Sequence, residues 1–91
     1  MNYEELIKSE LLKKEKIDFD EIGKVLEKAR QKIKSAYVLI KNDDAENGFQ
    51  LAYESMLLAG RALVFFYGFR PRAVSSHKIV VQFAENILGK D

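Results

Sequence analysis

The sequence predicts an all-α protein, an antiparallel up-down bundle of about four helices. Apolar residues recur at intervals of three and four along most of the chain, and no stretch shows the alternation typical of a β-strand. The composition agrees with this, because 91 residues include one proline and five glycines. A chain of this length has room for one core, so residues 1–91 are expected to form a single domain.

The first two helices are indicated by different signals. A short amphipathic helix near the N-terminus is marked by Tyr3, Leu6, Ile7 and Leu11, and it gives way to the charged run 13–16. A second helix is expected to begin after Asp18, which can cap it together with Glu21, and to continue to about Lys41. Its apolar face consists of Ile22, Val25, Leu26, Ala29, Ile33, Ala36, Tyr37 and Ile40.

Residues 42–44 are expected to form a turn and to cap the third helix, which the fourth helix then follows. The third helix is apolar on two sides, which predicts that it is central to the bundle or lies in a dimer interface. Gly68 suits the left-handed position after its end, and Pro71 prevents the helix from continuing. Ser75 or Ser76 can cap a fourth helix that ends before Gly89.

Composition narrows the possible functions. A formal net charge of +1 predicts no general attraction to polyanions, so any binding of nucleic acid must come from a local patch. The absence of cysteine removes disulfides and thiolate chemistry, and the one histidine with scattered carboxylates gives no metal-ligand spacing. We therefore expect no cofactor and no metal. The apolar run 56–69 is broken by Arg61 and is too short to span a bilayer, so a cytoplasmic protein without a membrane segment is expected.

The segment 67–77 holds the residues best suited to ligand binding or catalysis. Arg70 and Arg72 stand close to His77, the one histidine of the chain. Arginine binds phosphate through paired hydrogen bonds, and a histidine can act as general base towards a 2′-hydroxyl that attacks the adjacent phosphate. This cluster predicts a phosphate-binding site for RNA or a nucleotide, with His77 and Arg72 as catalytic candidates and Arg70 as a further phosphate ligand. The alternative is that His77 is a helix-start residue with a structural hydrogen bond.

Arg61 lies within the apolar third helix, where an isolated buried charge would be costly. Either its guanidinium reaches water or a carboxylate, or it points to the same phosphate as Arg72. Tyr53 and Tyr67 are expected to be core residues and not platforms for bases. The lysines at 13, 14, 16, 24, 28, 32 and 34 are interleaved with glutamates, which favours a solvated face with ion pairs.

Several segments taken together resemble the HEPN domain in their order and spacing. They are VLEKAR at 25–30, DAENGFQLAY at 44–53, LAGRAL at 58–63, GFRPR at 68–72 and SHKIVVQF at 76–83. The likeness extends over about residues 22–88. It implies an antiparallel helical bundle, frequent homodimerisation and a prokaryotic setting in which an MNT-type nucleotidyltransferase is the partner in a toxin–antitoxin pair.

Active members of that family are metal-independent ribonucleases whose Arg-x(4–6)-His motif forms a composite site across the dimer. Arg72 precedes His77 with four intervening residues, and Arg70 precedes it with six. Two features depart from the family pattern. Ala73 or Pro71 follows the arginine where a polar residue is usual, and the chain stops soon after Leu88, so a C-terminal helix of the family is expected to be missing.

The leading hypothesis from the sequence is therefore a small HEPN-type protein that dimerises and binds or cleaves RNA without metal. The alternatives are a module that binds a nucleotide without cleaving it and an interaction protein whose third helix binds a partner.

Overall fold

The computed structural model describes residues 2–72 and 76–89, and over these ranges it has four helices and two short strands. The helices are α1 (Tyr3–Lys8), α2 (Phe19–Lys41), α3 (Ala45–Phe66) and α4 (Ser76–Leu88). The strands are β1 (Leu12–Lys14) and β2 (Phe69–Pro71). The predicted all-α bundle is confirmed, and one small sheet is added to it.

The helices α2 and α3 form an antiparallel hairpin that is the largest packing unit of the fold. Near the turn, a Cβ placed on Gly48 would meet the Ile40 side chain and the Ala36 carbonyl oxygen. Further along, the Ser55 hydroxyl donates a hydrogen bond of 2.7 Å to the carbonyl oxygen of Ala29. These contacts fix the register of the hairpin, so that residues later in α3 lie beside residues earlier in α2.

Caps define the ends of the hairpin helices. The Asp18 carboxylate accepts hydrogen bonds from the backbone N–H groups of Asp20 and Glu21, which confirms the predicted start of α2. In the turn, Asp43 is left-handed with φ of 65°, and the Asp44 carboxylate accepts from the backbone N–H of Asn47. The predicted turn and cap at residues 42–44 are therefore present, and Asp44 is the residue that caps α3.

The main core lies between α1, α3 and α4. It consists of Val64 of α3, Ile79, Val80 and Phe83 of α4, and two residues from the N-terminal segment, Leu6 and Leu12. The central position predicted for the third helix is confirmed, since α3 packs against α2, α4 and β2. Successive helices are neighbours except at the first step, because α1 packs on α4.

The small sheet pairs β1 with β2 in antiparallel register, with Lys13 opposite Arg70. Beyond the strands, the Glu15 N–H donates to the carbonyl oxygen of Gly68 at 2.9 Å. Gly68 has φ of 84°, a conformation that glycine adopts without a steric penalty, and this confirms its predicted left-handed role. The sequence did not predict this sheet, because each strand has three residues and its partner lies far along the chain.

Among the helices of the described residues, none combines the length and the apolar character needed to cross a membrane. The predicted caps of α4, at Ser75 and the side chain of Ser76, lie outside what the structure describes.

Candidate functional site

Arg61 of α3 and His77 of α4 line one groove of about 430 Å³ at the meeting of α2, α3 and α4. This basic groove is lined by eight described residues: Lys28, Lys32, Glu54, Leu57, Leu58, Arg61, His77 and Val80. Its polar residues come from all three helices, and its apolar residues come from α3 and α4. The groove is therefore a product of the bundle and not of any one segment.

The hairpin register places the charged groups of α2 and α3 at this groove. Lys32 and Glu54 form an ion pair between the two helices, with 2.9 Å between Nζ and Oε1. Lys28 precedes Lys32 by one helical turn, and Arg61 follows Glu54 by two turns, so both lie on the same side as that pair. The helices thus bring distant charges into one row along the groove.

His77 is brought to the groove by the close packing of α4 on α3. A Cβ placed on Gly60 would lie 2.5 Å from Cγ1 of Val80, so the missing side chain of this glycine makes room for α4. Val80 lies one turn after His77 on α4 and lines the groove with it. The His77 side chain is exposed, which leaves its imidazole accessible to a ligand in the groove.

The balance of charge in the groove is positive. Lys28, Lys32 and Arg61 face a single carboxylate, Glu54. Its hydrogen bond from Lys32 lowers the pKa of the Glu54 carboxyl, which keeps this group ionised and engaged. Within residues 2–72 and 76–89, no carboxylate pairs with Lys28 or Arg61. Two cations therefore remain available to an anion.

Arg70 lies in a different part of the molecule. Its Nε donates to Oε2 of Glu15 at 2.6 Å, and its Nη2 donates to both carboxylate oxygens of Glu21 at 3.0 and 2.9 Å. The guanidinium carbon also lies 4.5 Å from the centre of the Phe65 ring, in cation–π geometry. Arg70 lines a separate cavity of about 700 Å³ with residues 15–21.

Through these ion pairs, Arg70 connects the small sheet to α2. The hydrogen bond from Arg70 lowers the pKa of the Glu15 carboxyl, and the two carboxylates raise the pKa of Arg70 above its ordinary value. Glu21 follows the cap residue Asp18, but its carboxylate binds Arg70. The Arg70 guanidinium is thus already paired with two carboxylates of its own chain.

Arg72 is exposed and does not line the basic groove. Its backbone N–H donates to the carbonyl oxygen of Leu11 at 3.0 Å, which continues the pairing of the two chain segments beyond β1 and β2. Residues 73–75, which separate it from α4 in sequence, lie outside the described ranges. Of the four predicted site residues, the structure brings Arg61 and His77 together and places Arg70 elsewhere.

Two tyrosines predicted to be core residues are more exposed than expected. Tyr53 is 51% exposed and Tyr67 is 41% exposed, so the prediction that they are buried is wrong. Tyr53 lies in the first half of α3. The Tyr67 ring packs edge-on against Phe83, with 5.5 Å between ring centres, and the rest of it faces solvent. Neither tyrosine lines the basic groove.

Three residues that line the groove, Lys28, Lys32 and Glu54, were not among the site residues predicted from the sequence. The two lysines looked like members of a solvated face, because lysines and glutamates alternate along α2. A signal was present in the turn at residues 42–44, which sets the hairpin register and places Lys32 beside Glu54. That register together with the position of Arg61 would have located the groove.

Comparisons with protein-family models, with curated proteins and with solved structures return no match for this chain.

Proposed function

We propose that this chain binds the phosphate groups of RNA or of a nucleotide in the basic groove. The observation that carries the proposal is the meeting of Arg61 with His77 and Lys28 in a groove whose one carboxylate is already paired with Lys32. An anionic ligand can bind there without displacing an internal ion pair. The low net charge of the chain makes such a local cluster the required source of affinity.

The lining of the groove suits a nucleotide better than a bare anion. The Arg61 guanidinium can donate two parallel hydrogen bonds to a phosphate, and Lys28 adds a second positive charge. Leu57, Leu58 and Val80 offer an apolar wall to a base or ribose. A volume of about 430 Å³ falls within the usual range of small-molecule sites, about 300–1,000 Å³.

For RNA, the same residues support a metal-independent cleavage. His77 would accept the proton of a 2′-hydroxyl as its oxygen attacks the adjacent phosphorus. The P–O5′ bond then breaks, leaving a 2′,3′-cyclic phosphate on one product and a 5′-oxygen that takes a proton from water on the other. Arg61 would stabilise the added negative charge on the phosphorane, a role that the sequence had suggested for Arg72.

The resemblance to the HEPN domain supports the same ligand class, since its active members act on RNA through an arginine and a histidine. The nucleotidyltransferase partner stays a prediction from that resemblance. Binding of a nucleotide without cleavage is the alternative, and the experiments below separate the two.

Binding is tested by titrating the protein with a fluorescent single-stranded RNA over a range of salt concentrations. Arg61→Met is compared with Arg30→Met, because Arg30 is an exposed arginine that pairs with Glu27 and does not line the groove. We expect Arg61→Met to weaken binding several-fold and to reduce the salt slope by about 1, with Arg30→Met close to the wild type. Equal effects of the two substitutions would contradict the groove as the binding site.

Cleavage is tested on a mixed RNA in EDTA, with His77→Ala purified in the same way to expose contaminating nucleases. Wild-type products with 2′,3′-cyclic phosphate ends, absent with His77→Ala, would establish the ribonuclease. Equal product from both proteins would refute catalysis and leave binding alone. A parallel titration with adenosine monophosphate and with inorganic phosphate distinguishes a nucleotide site from a simple phosphate site.

A further inference from the structure

Helix α3 presents two rows of residues in different directions, and the second row is apolar throughout, with residues spaced alternately three and four apart. The first row faces α2, as the contacts of Gly48, Ser55 and Phe65 with α2 or its core cluster show. The second row, here called the outer seam, consists of Phe49, Ala52, Met56, Ala59, Leu63 and Phe66. Spacing of three and four along one helix is the pattern by which a second helix packs with knobs into holes.

The outer seam is largely uncovered in the isolated chain. Three of its four large residues, Phe49, Met56 and Phe66, are 51–65% exposed, and Ala59 is exposed between them, whereas Leu63 is partly buried against the main core. Within the described ranges α4 approaches the seam at Met56, which lines a groove with Val80 and Leu88, but Phe49 and Phe66 keep more than half of their surface exposed. An apolar row of this length is unusual on the surface of a monomer.

A row on α2 extends this apolar surface. Leu26, Ile33 and Tyr37 are 47–58% exposed. Leu26 lines a shallow groove of about 230 Å³ with the seam residues Ala59, Leu63 and Phe66, so the two rows form one surface. A large apolar side chain has about 200 Å² of accessible surface. Six such side chains on the two rows are about half exposed, so together they offer about 600 Å² to a partner before the smaller residues are added: Phe49, Met56, Phe66, Leu26, Ile33 and Tyr37. A standard interface needs about 800 Å² per partner.

Two antiparallel copies of the seam would fit together, because small residues of one copy would lie opposite large residues of the other. If two seams run antiparallel about a point between Met56 and Ala59, Met56 of each copy meets Ala59 of the other. In the next layer Ala52 meets Leu63, and at the ends Phe49 meets Phe66. Each inner layer thus pairs one small residue with one large residue, which fills space without overlap.

We propose that the outer seam is the contact between two copies of this chain, with the two α3 helices antiparallel about a two-fold axis between Met56 and Ala59. This arrangement places the same surface on both copies, as a closed dimer requires. In this dimer, the second copy would also cover the exposed apolar row on α2.

The dimer leaves the basic groove open. Glu54 stands two residues from both Ala52 and Met56, a rotation of about 200° on an α-helix, so the groove lies on the far side of α3 from the seam. The inference is therefore independent of the proposed function. Loss of dimerisation and loss of ligand binding can be measured separately.

The first test is sedimentation of the wild type and of Ala59→Glu, compared with Ser35→Glu, which adds the same charge at an exposed α2 position outside the seam. We expect a wild-type dimer at micromolar concentration, a monomer for Ala59→Glu and a dimer for Ser35→Glu. Unchanged helical circular dichroism shows that each variant is folded. A wild-type monomer, or a dimer that survives Ala59→Glu, overturns the proposal.

The second test uses the absence of cysteine from the chain, which allows single cysteines to be introduced cleanly. The two copies of residue 59 would lie about 10 Å apart, whereas the two copies of residue 49 would lie about 25 Å apart. A short bis-maleimide linker should therefore join Ala59→Cys to itself and a mixture of Phe49→Cys with Phe66→Cys. Phe49→Cys alone and the off-seam control Lys13→Cys should stay unlinked, and efficient linkage of Phe49→Cys to itself would refute the antiparallel order.

Discussion

Gly60 of α3 and Val80 of α4 approach so closely that a single methyl group on the glycine would lie 2.5 Å from Cγ1 of the valine. This contact sets the distance between the helices that carry Arg61 and His77, each of which is a near neighbour of the contact in sequence. The basic groove therefore depends on a missing side chain. Val80 is β-branched and fully packed, so it has little freedom to move aside.

Gly60→Ala should destabilise the protein even though alanine is the better helix former. The added methyl group overpacks the α3–α4 contact, and overpacking costs about 1–3 kcal/mol against a gain of about 1 kcal/mol in helix propensity. Because the contact would be only 2.5 Å and Val80 is stiff, we expect a cost above the lower end of that range. Chemical denaturation measures the change. Val80→Ala removes the clashing methyl group, so it should cost less stability in the Gly60→Ala variant than in the wild type.

Gly23→Ala provides the matched comparison. Gly23 also lies inside a helix, but a Cβ placed there meets nothing within 4 Å. Its substitution should raise the free energy of unfolding by about 0.5–1 kcal/mol, because helix propensity improves without a clash. Stabilisation of similar size by Gly60→Ala would show that α4 does not pack on α3 as described.

Arg70→Met should lower the stability of the fold and leave ligand binding unchanged. The substitution removes hydrogen bonds to Glu15 and Glu21 and the cation–π contact with Phe65, which together are worth about 1–2 kcal/mol for this half-buried arginine. Denaturation and RNA titration of the same sample separate the two effects. A loss of RNA affinity with unchanged stability would move Arg70 into the binding site and contradict its structural role.

Glu15→Gln should reduce the sensitivity of the fold to acid. Because Arg70 lowers the pKa of the folded Glu15 carboxyl below its ordinary value of 4.5, the ionised pair stabilises the protein above that pH. The stabilisation is lost as the pH falls below 4.5 and the carboxylate takes up a proton. The difference in unfolding free energy between the wild type and Glu15→Gln should therefore shrink with falling pH. Glu10→Gln is the control, since Glu10 is exposed and has no ion pair among the described residues; an equal shrinkage there would contradict the account.

Local sequence signals predicted most of the helical architecture. Asp18 caps α2, Gly68 takes the left-handed position after α3, and the turn at residues 42–44 joins the hairpin. Each of these depends on residues close together in the chain, where spacing and side-chain chemistry are sufficient. The double apolar face of α3 likewise predicted its central position.

The candidate site was less predictable, because it depends on contacts between distant segments. Arg70 follows Arg61 by nine residues in the sequence, but the pairing of β1 with β2 places it beside Glu15 and away from the groove. The charged run of three lysines and one glutamate at residues 13–16 gave no sign of a strand. Arg61 joins His77 through the packing of two helices, which a linear arginine–histidine spacing does not describe.

The central claim is that an anion binds between Arg61 and His77, and the imidazole of the one histidine reports on it directly. Its ring C–H signals should be resolved in an NMR spectrum and can be followed while adenosine monophosphate or a short RNA is added. We expect a saturable shift of these signals that is lost in Arg61→Met and retained in Arg30→Met. Signals that do not move with either ligand, or that move equally in Arg61→Met, would contradict the proposed site.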